Sequence, residues 1–150
     1  MKIIVMNGPN LNLLGQREPD KYGHTTLARL EQLCHETARA LGHEVECLQS
    51  NHEGVLIDAL HSAGAGFQQG EVAGVVLNAG AFTHSSIALH DAIRAVAPLP
   101  VIEVHISNVH AREAFRHHSW ISAVAAGIVI GLGVDGYRVA IEALARRLPG

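Results

Sequence analysis

Cysteine, lysine, net positive charge and long apolar runs are all scarce in this chain, and each scarcity removes a class of explanation. Cys34 and Cys47 are the only cysteines among 150 residues and lack CxxC spacing, so buried free thiols are expected, without a disulfide framework. The only lysines are Lys2, at a strand start, and Lys21, in a polar loop. Neither setting desolvates an amine, which argues against Schiff-base chemistry. The formal charge of −3 offers no basic field for a nucleic-acid partner. No apolar run reaches the roughly 18 residues of a membrane span. The amino terminus enters a strand at once, without the basic stretch, apolar core and cleavage site of a secretory signal, so a soluble, cytoplasmic protein is expected. Serine-elbow, dinucleotide and nucleotide phosphate-loop motifs are also absent, which leaves a small polar ligand as the favoured partner.

What is present points to one domain over residues 1–150, with 48% hydrophobic residues to fill its interior. Lys2 to Met6 is a short β-branched apolar run, as in a strand covered on both faces, and it stops at Asn7-Gly8-Pro9-Asn10. A polar loop follows, with Gly15 and Gly23 as hinges. Thr25 or Thr26 caps a helix running to Gly42; His43 to Ser50 alternates like an edge strand; Asn51 caps a second helix that dissolves at Gly64-Ala65-Gly66. Gly74 to Leu77 is a second fully apolar strand, ending at Asn78-Ala79-Gly80. A third helix runs from caps at Thr83 to Ser86 through Val96, since Pro98 and Pro100 forbid its continuation. Val101 to Ile106 is the next strand, Ala123 to Leu132 holds the last, and Asp135 caps a final helix striped by Tyr137, Ile141, Leu144 and Leu148. This alternation predicts an α/β, flavodoxin-like three-layer sandwich with a five-stranded parallel sheet of order 2-1-3-4-5, whose ligand site lies beyond the carboxyl ends of the strands.

Among candidate functional residues, His105 stands at the end of an apolar strand with Glu103 two residues before it, on the same face, where a carboxylate can orient its ring. A core histidine satisfied by that carboxylate is the competing reading. Backbone amides of Ile106 and Ser107 can receive an anion at the same strand end. Arg17 near Tyr22 would stabilise a phenolate and make Tyr22 a base, although an ordinary surface tyrosine and a solvated arginine satisfy the spacing as well. Asn78, His84 and Asp91 come from the next strand end and its helix, with helix capping and a surface ion pair as alternatives. His110, Glu113 and His117 share a face, but such triplets are commonly just solvated, so no metal site is expected. Arg116 suits either a polar substrate or a surface pair, and Arg112 lies in the same stretch.

Taken together, the motifs resemble type II 3-dehydroquinate dehydratases over essentially the whole chain. The matching residues are Asn7 to Gly15, Arg17-Glu18-Pro19, Tyr22-Gly23, Gln49-Ser50-Asn51 with Glu53-Gly54, Asn78 to Ser86, Glu103 to Asn108, Arg112-Glu113 and Phe115-Arg116. Phe82 departs from the family's usual tyrosine, and Gln16 from a frequent basic or small residue. The resemblance implies a hydro-lyase of the shikimate pathway that needs no cofactor and proceeds by anti elimination through an enolate. It implies Tyr22, as tyrosinate, for the base, Arg17 as its activator, His105 for the general acid, Glu103 as its orienter and Asn12 as holder of a water. Asn78, His84, Ile106, Ser107 and Arg116 would bind substrate, with Asp91 supplied by a neighbouring subunit of a dodecamer built from trimers. A loop at about 13–24 would close as a lid. A non-catalytic flavodoxin-like binding module is the alternative, and its own signatures, clustered acids or a Ser/Thr-rich phosphate loop after the first strand, are missing.

Overall fold

Branched and bulky apolar side chains at Ile3, Ile4, Val5 and Met6 are all buried, which is possible only for a strand with structure on both faces. The computed structural model describes residues 1–16, 18, 20 and 24–147. Arg17 and Tyr22, much of the expected lid, and Leu148 of the final stripe lie outside the described residues.

Strand β1 (Lys2–Asn7) is followed by helix α1 (Leu27–Ala40), β2 (Glu44–Gln49), α2 (Glu53–Gln68), β3 (Val72–Asn78), α3 (Ile87–Ala95), β4 (Val101–His105), β5 (Gly127–Ile130) and α4 (Asp135–Arg147). The strands are parallel in the order β2-β1-β3-β4-β5, as expected. Alternation divides the core into two layers. Ile3 and Val5 pack with Leu30, Cys34 and Ala38 of α1 and with Tyr137, Ile141 and Leu144 of α4. Ile4 and Met6 pack on the other face with Leu56 and Leu60 of α2 and Leu89 and Ile93 of α3. Each fully buried aliphatic side chain contributes about 1.5–3 kcal/mol of transfer free energy. Both thiols are unpaired, and burial pushes Cys34 up to about 12 and Cys47 higher still, which keeps them protonated.

Strand β3 begins two residues before the expected Gly74, and three expectations about helix ends also differ from the structure. Helix α2 does not dissolve at Gly64-Ala65-Gly66 but continues to Gln68. These glycines are contact points: a Cβ at Gly64 would sit 2.8 Å from Val96 Cγ1, and one at Gly66 would sit 2.6 Å from Val72 Cγ2. Asn51 does not cap α2, whose cap position is His52; its Oδ1 instead accepts from the Asn10 amide at 3.0 Å. Asp135 lies within the first turn of α4, where its carboxylate holds Arg138 through bonds of 2.7 and 2.8 Å. The caps at Thr26 and Ser86 are as expected, their hydroxyls accepting from Arg29 and Leu89.

Candidate active site at the carboxyl end of the sheet

Parallel pairing puts the carboxyl ends of β1, β3 and β4 side by side, with Asn7 in register with Asn78. Both asparagines are buried and meet a third group, the Tyr137 hydroxyl from α4. That hydroxyl donates to Asn7 Oδ1 at 2.5 Å and accepts from Asn78 Nδ2 at 2.9 Å, while Asn78 Oδ1 accepts from the Gly80 amide at 3.1 Å. With both ends engaged, the Asn78 amide has one orientation. Burial pushes the Tyr137 phenol far above its ordinary range, with the Asn78 bond opposing only part of that, so it stays a neutral bridge.

On β4 the expected Glu103–His105 pair is present and almost fully enclosed, the side chains being 1% and 6% exposed. His105 Nε2 donates to Glu103 Oε2 at 2.5 Å. Because a carboxylate only accepts, Nε2 carries the hydrogen, and Nδ1 is left for a bound molecule. Two hydroxyls complete the carboxylate's shell, Ser122 donating to Oε1 at 2.5 Å and Ser119 to Oε2 at 2.9 Å. Burial opposes ionisation of Glu103, but the bonds from His105, Ser122 and Ser119 outweigh it and hold the carboxyl below its ordinary value.

His84 stands opposite, its ring 6.4 Å from that of His105 and nearly parallel to it. Its Nδ1 donates to the His118 carbonyl at 2.8 Å, leaving Nε2 as the other ring position. Burial pushes the His84 imidazole below its ordinary value, and the nearby His105 and Arg116 act in the same direction.

These groups wall a cleft of about 140 Å³ whose lining includes Asn10, Asn78, His84, His105, Ile106, Ser107, Arg112 and Arg116. Asn78, His84, His105, Ile106, Ser107 and Arg116 are thus brought together as the sequence suggested, with Glu103 directly behind His105. Arg116 is braced by Glu113 at 2.6 Å, a bond that also depresses the Glu113 carboxyl. Asn12 is exposed on the single turn Leu11–Leu13, whose Leu11 reaches the cleft, and Asp91 is exposed on α3; neither is in the cleft wall. Among the described residues no three His, Cys, Asp or Glu side chains are grouped to hold a metal, and Glu113 of the histidine triplet is committed to Arg116. Phe82 is half-buried against the α2–α3 side of the core.

Sequence reasoning missed several groups. The spacing places Tyr137 in a core stripe, and nothing local shows that its hydroxyl meets residues from the first and third strands. Ser119 and Ser122 lie in an irregular stretch, where a serine usually signals only a turn. The sequence gives Arg112 no role beyond its stretch; its Nη1 donates to Ser107 Oγ at 3.2 Å in the cleft wall.

Comparison with known proteins agrees with this geometry. The family model described as Dehydroquinase class II matches residues 1–145. A 3-dehydroquinate dehydratase from a Marinomonas species is 66% identical over 146 residues, covering 97% of each chain. Among solved structures, a type II dehydroquinase from Butyrivibrio crossotus superposes with a TM-score of 0.91 at 46% identity, covering 96% of this chain and 97% of that one. Another, from Propionibacterium acnes, gives 0.89 at 43% identity, covering 97% and 96%. The chain described here belongs to the class II dehydroquinase family.

Proposed function

We propose that this chain is a hydro-lyase that reversibly dehydrates 3-dehydroquinate to 3-dehydroshikimate, a step toward chorismate and the aromatic amino acids, without metal or organic cofactor. The observation that carries the reading is the enclosed Glu103–His105 pair, with its second ring nitrogen left for a ligand, at a cleft walled by Asn78, His84 and Arg116.

The residues divide the chemistry between two proton carriers. Tyr22, as tyrosinate, removes a proton α to the ketone, and the electron pair moves onto the ketone oxygen to give an enolate. Arg17 favours that phenolate electrostatically. The enolate then collapses and expels the β-hydroxyl, which leaves as water with the proton from His105 Nδ1. Glu103 orients the ring and compensates its positive charge. Asn12 holds a water against the enolate, and Asn78, with its amide fixed by Tyr137, orients the ring of the substrate. The Ile106 and Ser107 amides receive the substrate carboxylate; His84 and Arg116 address ring hydroxyls. The role given to Tyr22 is supported by described residues of the same segment: Asp20 and Thr25 line a cavity shared with Ile106, Ser107 and Arg112. The segment at about 13–24 would act as a lid that excludes water.

Asp91 would reach the cleft of an adjacent copy in a dodecamer assembled from trimers, in keeping with its exposed place on α3. A cytoplasmic location fits a chain whose described helices include none long and apolar enough to cross a membrane.

The direct test is the ultraviolet absorbance of the conjugated product after 3-dehydroquinate is added to purified protein with EDTA present. A rise with wild type, slowed by about 10²–10⁴-fold with His105→Ala, is expected. Absence of any rise from folded wild-type oligomer would leave a non-catalytic binding module.

A further inference from the structure

Glu103 is held by more than the histidine it serves. Ser119 Oγ accepts from the backbone amides of Ile121 and Ser122, each at 3.0 Å, so its lone pairs are committed and its hydrogen is directed at Glu103 Oε2. Ser122 Oγ donates to the other oxygen. The turn carrying both serines is itself anchored, because Ile121 is fully buried and the Trp120 amide donates to the Thr83 carbonyl at 2.9 Å. The carboxylate therefore receives three charge-assisted bonds from two elements, with no freedom to rotate away from His105.

We propose that the Ser119–Ser122 turn is a positioning device that holds Glu103 as a fixed anionic acceptor for the His105 Nε2–H. The proposal rests on the reading of His105 as proton donor. A carboxyl this deeply enclosed tends to protonate when it lacks donors, and a protonated Glu103 no longer compensates an imidazolium. The serines counter that tendency without adding a charge of their own. The depressed Glu103 carboxyl agrees with this. Among the described residues, the other ionisable groups facing the pair are His84 and Arg112 across the cleft, and Arg116, His110, His117 and His118 around a cavity of about 180 Å³ behind it. All of these are cations when charged, and none replaces a neutral donor on a carboxylate oxygen.

The consequence is a pH dependence that a simple turn would not have. Ser122→Ala removes one bond to Glu103 and leaves the Ser119 turn intact, so it is the cleaner variant. The acidic limb of the kcat/KM profile should move upward by about one pH unit. Ser122→Thr, which keeps the hydroxyl, should return it, and in a Glu103→Gln background Ser122→Ala should cause no further movement. Carboxyl NMR of isotope-labelled glutamate in the ligand-free protein should show the same upward movement of the Glu103 midpoint. An unmoved limb and midpoint, with only the melting temperature lowered, would overturn the proposal. If wild type fails to dehydrate 3-dehydroquinate, the functional reading falls by itself, and the carboxyl midpoint alone decides whether the serines hold Glu103.

Discussion

Tyr22 and Tyr137, the only tyrosines in the sequence, are assigned opposite chemistry. Tyr22 is proposed to work as a phenolate beside an arginine. Tyr137 is enclosed and neutral, and its hydroxyl joins the ends of β1 and β3. Tyr137→Phe leaves Asn7 Oδ1 and Asn78 Nδ2 buried without that partner, at a cost of about 1–3 kcal/mol. It should also raise KM for 3-dehydroquinate several-fold, because the Asn78 amide is no longer held in one orientation; Leu144→Ala on the same helix should lower stability without that change. Steady-state kinetics and urea melts on both variants check this. Two other residues govern the pH range. The folded-state value of His84 lies below the ordinary 6.5, so the neutral ring is favoured, and its stabilising contribution declines as pH falls through about 6.5. Glu103 is depressed below 4.5, so its contribution is present above that value and is lost as pH falls through its lower folded-state value. Urea midpoints measured from pH 8 to pH 3 should therefore decline in two stages, and Glu103→Gln should remove the more acidic one.

At the scale of elements, glycine shows what the sequence conceals. Gly64 and Gly66 look like a helix end when only propensity is read, yet they let α2 approach Val96 and Val72. Gly64→Ala should destabilise by about 1–3 kcal/mol despite alanine's higher helix propensity, because the new methyl meets Val96 at both Cβ and Cγ1. A thermal melt showing stabilisation instead would mean that α2 shifts freely. The opposite case is Gly42, whose positive φ of 79° closes the turn after α1 at the place the sequence indicates. Local signals thus served where a turn decides conformation, and they failed where a distant side chain does. Asn51 follows the second pattern: it has the composition of a cap, but the Asn10 amide, far away in sequence, claims its oxygen.

At the scale of the molecule, strand order could be read from the alternation of apolar runs and helices, because parallel strands covered on both faces leave few other arrangements. The strand-end residues Asn78 and His105 were legible for the same reason. Tyr137 bonds Asn7 across 130 positions, and no pattern in a single sequence encodes that pairing. Asp91 belongs to this scale too, since in one chain it is exposed and outside the cleft. If a neighbouring copy supplies it, Asp91→Ala and His105→Ala chains, each impaired alone, should regain part of the activity when co-assembled. Activity after mixing and refolding, with oligomer size followed by light scattering, checks that outcome.

The most direct test of the account separates its two proton carriers. In deuterated water, exchange of the proton α to the ketone and appearance of the conjugated product are followed together for wild type, Tyr22→Phe and His105→Ala. Tyr22→Phe should lose both, while His105→Ala should keep exchange but slow elimination by about 10²–10⁴-fold. Elimination in His105→Ala at the wild-type rate, or exchange surviving in Tyr22→Phe, would contradict it.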